Sequence, residues 1–141
     1  MYIGKYQHLI DAKNRVFIPS AFRAGRKTKF ILTQGLDKCL FLYDLLSWKN
    51  VLEKIEKLSL QSKVEERAFK RALFSGAYEV VPDAQGRILI PAPLAEYAGF
   101  SIETTIVGVG SRVEIWDKKL WEDYYLKVST SLSAMSDKLE I

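Results

Sequence analysis

The 141-residue chain contains only one cysteine and one histidine, Cys39 and His8. A lone cysteine excludes a disulfide within the chain and is typical of a reducing compartment. One cysteine and one histidine are also too few for a Cys/His zinc cage. No apolar run approaches the roughly 20 residues of a membrane-spanning helix. Residues 1–10 lack the charged start and apolar middle of a signal peptide. Together these absences predict a cytoplasmic protein with no membrane partner.

Sequence signatures of catalysis are also missing. The chain has no Cys–His pair at a plausible spacing, no glycine-rich phosphate loop and no cluster of metal ligands. Glu65 and Glu66 lie among basic residues in a pattern typical of an exposed helix face. We therefore expect no enzyme activity, no catalytic residue, no metal site and no cofactor.

Acidic residues are scarce in the first part of the chain. Residues 1–29 hold seven lysines and arginines against Asp11 alone, a net charge of +6, whereas residues 74–101 carry −2. The whole chain carries +4. Such a concentration of positive charge is typical of proteins that bind a polyanion. A solvated surface without a partner is the alternative.

Two five-residue motifs dominate the sequence, DAKNR at residues 11–15 and DAQGR at residues 83–87. Each is followed by two apolar residues and then by Ile-Pro, and each is preceded by Gly-x-Tyr at the same offset. The match continues, with a slip of one residue, as far as Trp48 and Trp121. A repeat of about 45 residues, followed by a helical segment, indicates duplication with the two halves packed together.

The motif has the chemistry of a three-residue hairpin loop, in which a type I turn is followed by a left-handed residue. Asp11 and Asp83 can accept hydrogen bonds from the backbone two residues further on. Asn14 and Gly86 occupy the position that needs a positive φ, which glycine and asparagine tolerate best. Turn geometry therefore accounts for these four residues.

Both motifs end in an arginine, Arg15 or Arg87, which the turn itself does not require. One explanation is a surface ion pair with the aspartate across the turn, which would contribute about 0–1 kcal/mol. The other is functional. A tight hairpin is a rigid mount for a guanidinium that can fork onto a phosphate or onto the major-groove edge of guanine.

Hydrophobic periodicity predicts an α+β fold in which one order of elements occurs twice. In the first half, the strand over 15–18 is expected to pair back on the strand over 2–10, and Asp44 is expected to cap a helix. The second helix, over 63–74, offers a stripe of small and apolar residues for burial: Val64, Ala68, Ala72 and Leu73. In the second half, Asp117 is the corresponding helix cap. The tail from residue 129 is expected to be partly disordered.

The segments DAKNRVFIPSAFR and DAQGRILIPAPL resemble the paired D-x-K-G-R-x-x-x-P-x-x-x-R motifs of the MraZ family, which belongs to the AbrB/SpoVT/MazE swapped-hairpin group. The resemblance covers nearly the whole chain, and the doubled motif makes it specific. It implies two tandem AbrB-like β units related by a pseudo-two-fold axis. The expected boundaries are 1–58 for the first repeat with its helix, 59–75 for a linking helix, 76–128 for the second repeat and 129–141 for the tail.

The resemblance also implies a function. It points to a nucleoid-associated, sequence-specific DNA-binding transcriptional regulator of the bacterial division and cell-wall gene cluster. Such a protein assembles into a ring and binds G-rich direct repeats in double-stranded DNA upstream of its own operon. An antitoxin-like protein that binds both DNA and a partner protein is the alternative.

Carried over by position, the resemblance implies a set of DNA-binding residues: Lys13, Arg15, Arg23 and Arg87. Gln85 stands where the family has lysine and is kept as a candidate base contact, while Ala95 stands where the trailing arginine would be. Secondary phosphate contacts are expected from three further cations: Lys5, Arg26 and Lys27. We expect the first hairpin to supply most of the attraction, and the second either to read bases or to serve as scaffold.

Overall fold

The computed structural model describes residues 1–23, 28–57 and 62–141. Within them the chain forms eight strands and five α-helices, and a 3-10 helix covers Ser20–Phe22. The strands are β1 (Lys5–Leu9), β2 (Arg15–Phe17), β3 (Phe30–Gln34), β4 (Leu40–Asp44), β5 (Tyr78–Val80), β6 (Arg87–Leu89), β7 (Glu103–Gly108) and β8 (Val113–Asp117). The helices are α1 (Leu45–Glu56), α2 (Lys63–Ser75), α3 (Ala92–Ala98), α4 (Lys118–Ser129) and α5 (Leu132–Leu139). This is the predicted α+β class with two tandem AbrB-like units.

Six strands form one antiparallel sheet in the order β1-β7-β8-β4-β3-β5. The order reads symmetrically from its centre, where β8 of the second repeat pairs with β4 of the first. The first strand of each repeat pairs with a strand of the other repeat: β1 pairs with β7, and β5 pairs with β3. Strands β1 and β5 therefore form the two outer edges of the sheet. The sheet is thus built from exchanged strands, with a pseudo-two-fold axis between β4 and β8.

The two remaining strands, β2 and β6, form a separate antiparallel ribbon in which Val16 lies opposite Ile88. The ribbon is closed symmetrically, because Ile18 N–H donates to Gly86 O and Ile90 N–H donates to Asn14 O, both at 2.8 Å. The prediction that the 15–18 strand pairs back on the first strand is therefore wrong. Apart from one bridge between Ile10 and Val16, β2 does not pair with β1. Strand β1 instead pairs with β7 over five residues.

The core lies between the ribbon and one face of the sheet. Val16 and Ile88 are fully buried there against inward-facing sheet residues such as Leu32, Leu42 and Ile106. The opposite face carries a smaller cluster, formed by Cys39, Val107 and Trp116 with partly buried neighbours, and helices α1 and α4 pack on it. The sheet therefore separates a ribbon face from a helix face.

The predicted helix caps are observed. Asp44 accepts a hydrogen bond from Ser47 N–H at 2.7 Å at the start of α1, and Asp117 accepts one from Leu120 N–H at 3.3 Å at the start of α4. None of the described helices is long and apolar enough to cross a membrane.

Two expectations about the helices differ from the structure. No residue of α2 is buried, so the predicted stripe of Val64, Ala68, Ala72 and Leu73 does not enter the core. Among the described residues, the core on the ribbon face is formed by side chains in and beside the strands, in the 3-10 helix and in α3, and by none of α2. The segment from residue 129, predicted to fray, contains α5, whose apolar residues recur at helical spacing. The boundary predicted at residues 58 and 59 lies outside the described residues, and the division into domains stays a prediction.

Candidate nucleic-acid interface

The first motif forms a tight turn that its own aspartate holds together. Asp11 Oδ1 accepts hydrogen bonds from the backbone N–H groups of Lys13 and Arg15, both at 2.9 Å. The loop is closed by Asn14 N–H donating to Asp11 O and by Asp11 N–H donating to Arg15 O. Asn14 has a φ of 59°, in the left-handed region. The second carboxylate oxygen, Oδ2, lies 2.7 Å from Arg15 Nε.

The second motif repeats this arrangement bond for bond. Asp83 Oδ1 accepts from the backbone N–H groups of Gln85 at 2.9 Å and Arg87 at 3.0 Å. Its Oδ2 lies 2.9 Å from Arg87 Nε. Gly86 supplies the positive φ, at 84°. The ion pair expected across each turn is thus present in both hairpins, and it fixes where each guanidinium points.

These hydrogen bonds favour the ionised aspartates. The pKa of Asp11 is lowered, first by the hydrogen bond from the Arg15 backbone N–H and then by the Arg15 side chain and the Lys13 N–H. The pKa of Asp83 is lowered in the same way by the Arg87 backbone N–H, the Gln85 N–H and the Arg87 side chain. Both carboxylates therefore remain charged well below neutral pH, and each continues to hold its arginine.

The two arginines share the outer face of the ribbon. Val16 and Ile88 point into the core, so their neighbours along each strand point outward. In the antiparallel register Arg15 lies opposite Leu89, and Phe17 lies opposite Arg87. Each strand therefore contributes one arginine and one apolar side chain to the outer face, Arg15 and Phe17 from β2 and Arg87 and Leu89 from β6.

Arg23 also lies at the ribbon, but its side chain is held there by contacts with ribbon residues. Its Nε–H donates to Ile18 O at 2.7 Å, and its guanidinium carbon lies 5.3 Å from the centre of the Phe17 ring. A Cβ at Gly86 would come within 2.8 Å of that same guanidinium carbon. Arg23 thus packs against the turn of the second hairpin and joins the two repeats.

The other predicted contact residues are distributed unevenly. Lys13 and Gln85 are exposed at equivalent positions at the tips of the two turns. Lys5 lies opposite Val107 in the register of the sheet, which places it on the helix face, and it lines a cleft beside α4 with Trp121 and Tyr125. The structure therefore does not bring Lys5 to the ribbon.

Arg26 and Lys27, the other two predicted phosphate contacts, lie outside the described residues.

Three residues beside the arginines were not predicted as DNA contacts from the sequence: Phe17, Leu89 and His8. Phe17 stands between Arg23 on one side and the His8 ring on the other, with its ring centre 4.8 Å from that of His8. Burial lowers the pKa of His8. The available signal was the alternation in Arg-Val-Phe and Arg-Ile-Leu, which places the third residue of each strand on the same face as the arginine.

The arrangement allows each guanidinium to donate two hydrogen bonds side by side to a pair of acceptor atoms. Arginine has five N–H donors. Among the described residues, each aspartate hydrogen-bonds its own arginine through the Nε–H, which leaves the four donors on Nη1 and Nη2 outside that hydrogen bond. Nη1 of Arg87 also lies 3.9 Å from Asp11 Oδ2, beyond hydrogen-bond distance. Because the side chain is already held in one orientation, less conformational freedom is lost when it binds. A guanidinium presented this way can bond to a phosphate or to O6 and N7 of guanine.

Comparison with known proteins gives matches along both repeats. A profile of the MraZ protein family, described as antitoxin-like, matches residues 1–72 and again residues 73–139. A protein of Acetivibrio thermocellus named transcriptional regulator MraZ is 50% identical over 139 residues, which cover 99% of this chain and 96% of that protein. Proteins of the same name from Caldanaerobacter subterraneus subsp. tengcongensis and a Thermoanaerobacter species are each 46% identical over 140 residues, covering 99% of this chain and 97% of each protein. With both halves matched by the family profile and relatives aligned over nearly their full length, the chain belongs to the MraZ family.

Proposed function

We propose that the protein is a transcriptional regulator that binds double-stranded DNA in a sequence-specific manner through the outer face of the β2–β6 ribbon. The observation that carries the proposal is the pair of hairpins in which an aspartate holds Arg15 or Arg87 by its Nε and leaves the Nη donors available. The name of the relatives, transcriptional regulator, supports the same conclusion.

A two-stranded antiparallel ribbon is one of the elements that the major groove of B-DNA admits. With the ribbon in the groove, Arg15 and Arg87 would reach guanine edges, and Phe17 and Leu89 would offer apolar contact to thymine methyl groups. Lys13 at the tip of the first turn would contact phosphate, whereas Gln85 at the tip of the second can read a base. The first hairpin thus supplies more phosphate attraction and the second more base selection.

The expected target is a set of G-rich direct repeats upstream of the protein's own operon, in the division and cell-wall gene cluster. This part of the proposal is supported by the family to which the chain belongs. Direct repeats suit a ring of subunits related head to tail, since successive subunits keep the same orientation along the duplex. Repeats about 10 bp apart would lie on one side of the DNA. A ring that engages several of them gains avidity without new contacts. The expected location is the cytoplasm, on the nucleoid.

The alternative is an antitoxin-like protein that binds DNA and also a partner protein, and it is favoured by the description of the family. The two candidates differ in the second ligand. An antitoxin captures a different protein in a defined ratio, whereas the proposed regulator assembles with copies of itself. Neither role involves catalysis.

Fluorescence anisotropy at one fixed salt concentration tests the proposal, because affinities for DNA depend steeply on salt. The full chain is titrated onto a labelled duplex with tandem G-rich boxes, and onto a duplex of the same length and composition with the boxes scrambled. We expect at least tenfold tighter binding to the boxes, the factor that about 1.4 kcal/mol of discrimination gives. Equal affinity for both duplexes would refute sequence-specific recognition.

A further inference from the structure

The outer face of the ribbon is almost symmetric about the pseudo-two-fold axis. The axis exchanges Arg15 with Arg87, and the aspartate of its own turn holds each arginine in the same way. A fully symmetric reader binds a sequence equally well in both directions along the duplex, which is why symmetric dimers recognise palindromes. Direct repeats, in contrast, all run in one direction. Recognition of direct repeats therefore needs a feature that distinguishes the two halves of the ribbon.

The side chain of Phe17 is contacted from three other parts of the chain. The His8 ring of β1 lies 4.8 Å from the Phe17 ring, centre to centre, in an edge-to-face arrangement. The guanidinium carbon of Arg23 lies 5.3 Å from the ring centre. In the second turn, a Cβ added to Gly86 would lie 2.9 Å from Phe17 Cε2. We call His8, Phe17 and Arg23 the Phe17 clamp, because the neighbours of Phe17 fix the orientation of its ring.

The second repeat has no such clamp. At the same offset from its motif, all three clamp positions carry an aliphatic residue: Val80, Leu89 and Ala95. None of these side chains has a ring or a charge, so neither the edge-to-face contact nor the cation–π contact can form among them. Leu89 is 59% exposed. The two halves of the ribbon therefore differ at this point in all three side chains together.

Part of Phe17 stays accessible in spite of these contacts. Its neighbour Val16 is fully buried in the core, whereas Phe17 is only partly buried and lies on the outer side of the ribbon. A side chain that serves packing alone gains most from complete burial. The clamp instead supports the ring from its sides and leaves part of it on the face where DNA would bind.

The register of the ribbon places each outward apolar residue beside an arginine of the other strand. Phe17 lies opposite Arg87, and Leu89 lies opposite Arg15. Phenylalanine is one of the side chains that contact the C5 methyl group of thymine in the major groove. A ring that is already fixed loses less conformational freedom on binding. We therefore expect the half with Phe17 and Arg87 to read a thymine next to a guanine more strongly than the other half does.

We propose that the Phe17 clamp sets the direction in which the ribbon binds each box. Phe17 contacts the methyl group of a thymine beside the guanine that Arg87 reads. His8 and Arg23 are positioning residues that hold the ring in place. This inference rests on the proposed function and names the specificity determinant within the same interface.

The first test replaces thymine by uracil, which lacks only the methyl group. Each thymine in or beside the boxes of the tandem duplex is replaced in turn, and the affinity of the full chain is measured by fluorescence anisotropy at one fixed salt concentration. We expect binding to weaken about fourfold, the factor that burial of one methyl group gives. The effect should be confined to one side of the guanines, and to the same side in every box.

Variants then assign this response to the clamp. Phe17→Leu gives the first half the residue of the second and should abolish the response to uracil. His8→Val and Arg23→Ala, each the residue of the second repeat, should reduce it, whereas His8→Phe keeps an aromatic neighbour and should retain it. Phe74→Leu on α2 makes the same substitution away from the ribbon and should retain the response in full. Circular dichroism checks that every variant is folded.

A second duplex tests direction itself. One box of the tandem pair is reversed, and its affinity is compared with that of the direct repeat. The unaltered protein should bind the reversed arrangement about fourfold more weakly, since one box loses its methyl contact. In Phe17→Leu this difference should disappear. Light scattering confirms that the oligomer is the same in both proteins.

The outcomes separate the two proposals. Equal affinity for boxed and scrambled duplexes would refute the proposed function, and the inference with it. Specific binding without a response to uracil, or with equal responses on both sides of the guanines, would refute the inference alone. A response that survives in Phe17→Leu would show that another residue reads the thymine. A full response in His8→Val and Arg23→Ala would refute the positioning role of those two residues.

Discussion

Asp11 contacts the arginines of both hairpins. Its Oδ2 lies 2.7 Å from Nε of Arg15 in its own turn and 3.9 Å from Nη1 of Arg87 in the other repeat. Within the described residues, no matching ion pair joins Asp83 to Arg15. One carboxylate thus links two guanidiniums that are far apart in the sequence, and the pseudo-two-fold symmetry of the ribbon is broken at this point.

Replacement of this carboxylate by an amide should lower specificity more than it lowers affinity. In Asp11→Asn the backbone N–H groups keep an acceptor, but Arg15 and Arg87 both lose an anionic partner. In Asp83→Asn only Arg87 does. Removal of a negative charge also strengthens non-specific attraction to phosphate. We expect the ratio of affinities for boxed and scrambled duplexes to fall in both variants, and further in Asp11→Asn. An equal fall would contradict the linking role of Asp11.

The two arginines should contribute unequally to binding. Arg15 lies in the segment with a net charge of +6 and Arg87 in the segment with −2, so Arg15→Ala is expected to weaken binding to tandem boxes more than Arg87→Ala. Loss of a forked guanine contact costs about 1–3 kcal/mol. Anisotropy gives the affinities, and light scattering confirms that the oligomer is unchanged. Equal losses would show that charge around the hairpin does not decide its contribution.

Of the two motif turns, only the second requires glycine. Gly86 combines a φ of 84° with the guanidinium of Arg23, which would lie 2.8 Å from an added Cβ. Gly86→Ala should therefore destabilise the protein by about 1–3 kcal/mol. Asn14→Gly, at the equivalent position with a φ of 59°, should change stability little. Urea unfolding at one protein concentration measures both, since oligomer stability depends on concentration.

Acid should loosen both turns, but only below the usual titration range of aspartate. The folded-state pKa values of Asp11 and Asp83 are lowered from 3.8. Their contribution to stability is therefore fully present above pH 3.8 and is lost as the pH falls through the lower folded-state values. In a series of thermal midpoints between pH 5 and pH 2, the double variant Asp11→Asn, Asp83→Asn should lose less stability than the unaltered protein. Parallel curves would contradict this.

An exchange of the turn tips should transfer phosphate attraction from one repeat to the other. Lys13→Gln gives the first turn the residue of the second and should reduce the slope of log K against log salt concentration by about 0.9. Gln85→Lys should increase it by a similar amount if the second turn approaches the DNA. The slope is measured on the scrambled duplex, where base contacts do not contribute. An unchanged slope in Gln85→Lys would identify the second turn as scaffold.

Some of the site follows from local chemistry and could be predicted. The turn at each motif depends on an aspartate, a residue that tolerates positive φ and the backbone between them. The caps at Asp44 and Asp117 depend on the next three residues. Alternation along β2 and β6 already places an apolar residue on the same face as each arginine, although its importance becomes visible only when the two strands are paired. These features involve residues at most a few positions apart.

The sequence by itself determined the duplication, the two turns, the helix starts and the family. Only the tertiary structure decided which strands pair, because the exchange of β1 and β5 joins residues of the two repeats that lie far apart in the sequence. It also decided that Lys5 stands on the helix face, away from the cations of the ribbon, and that α2 and α5 keep their apolar sides exposed. Local patterns specify which face of an element is apolar. What covers that face depends on residues far along the chain.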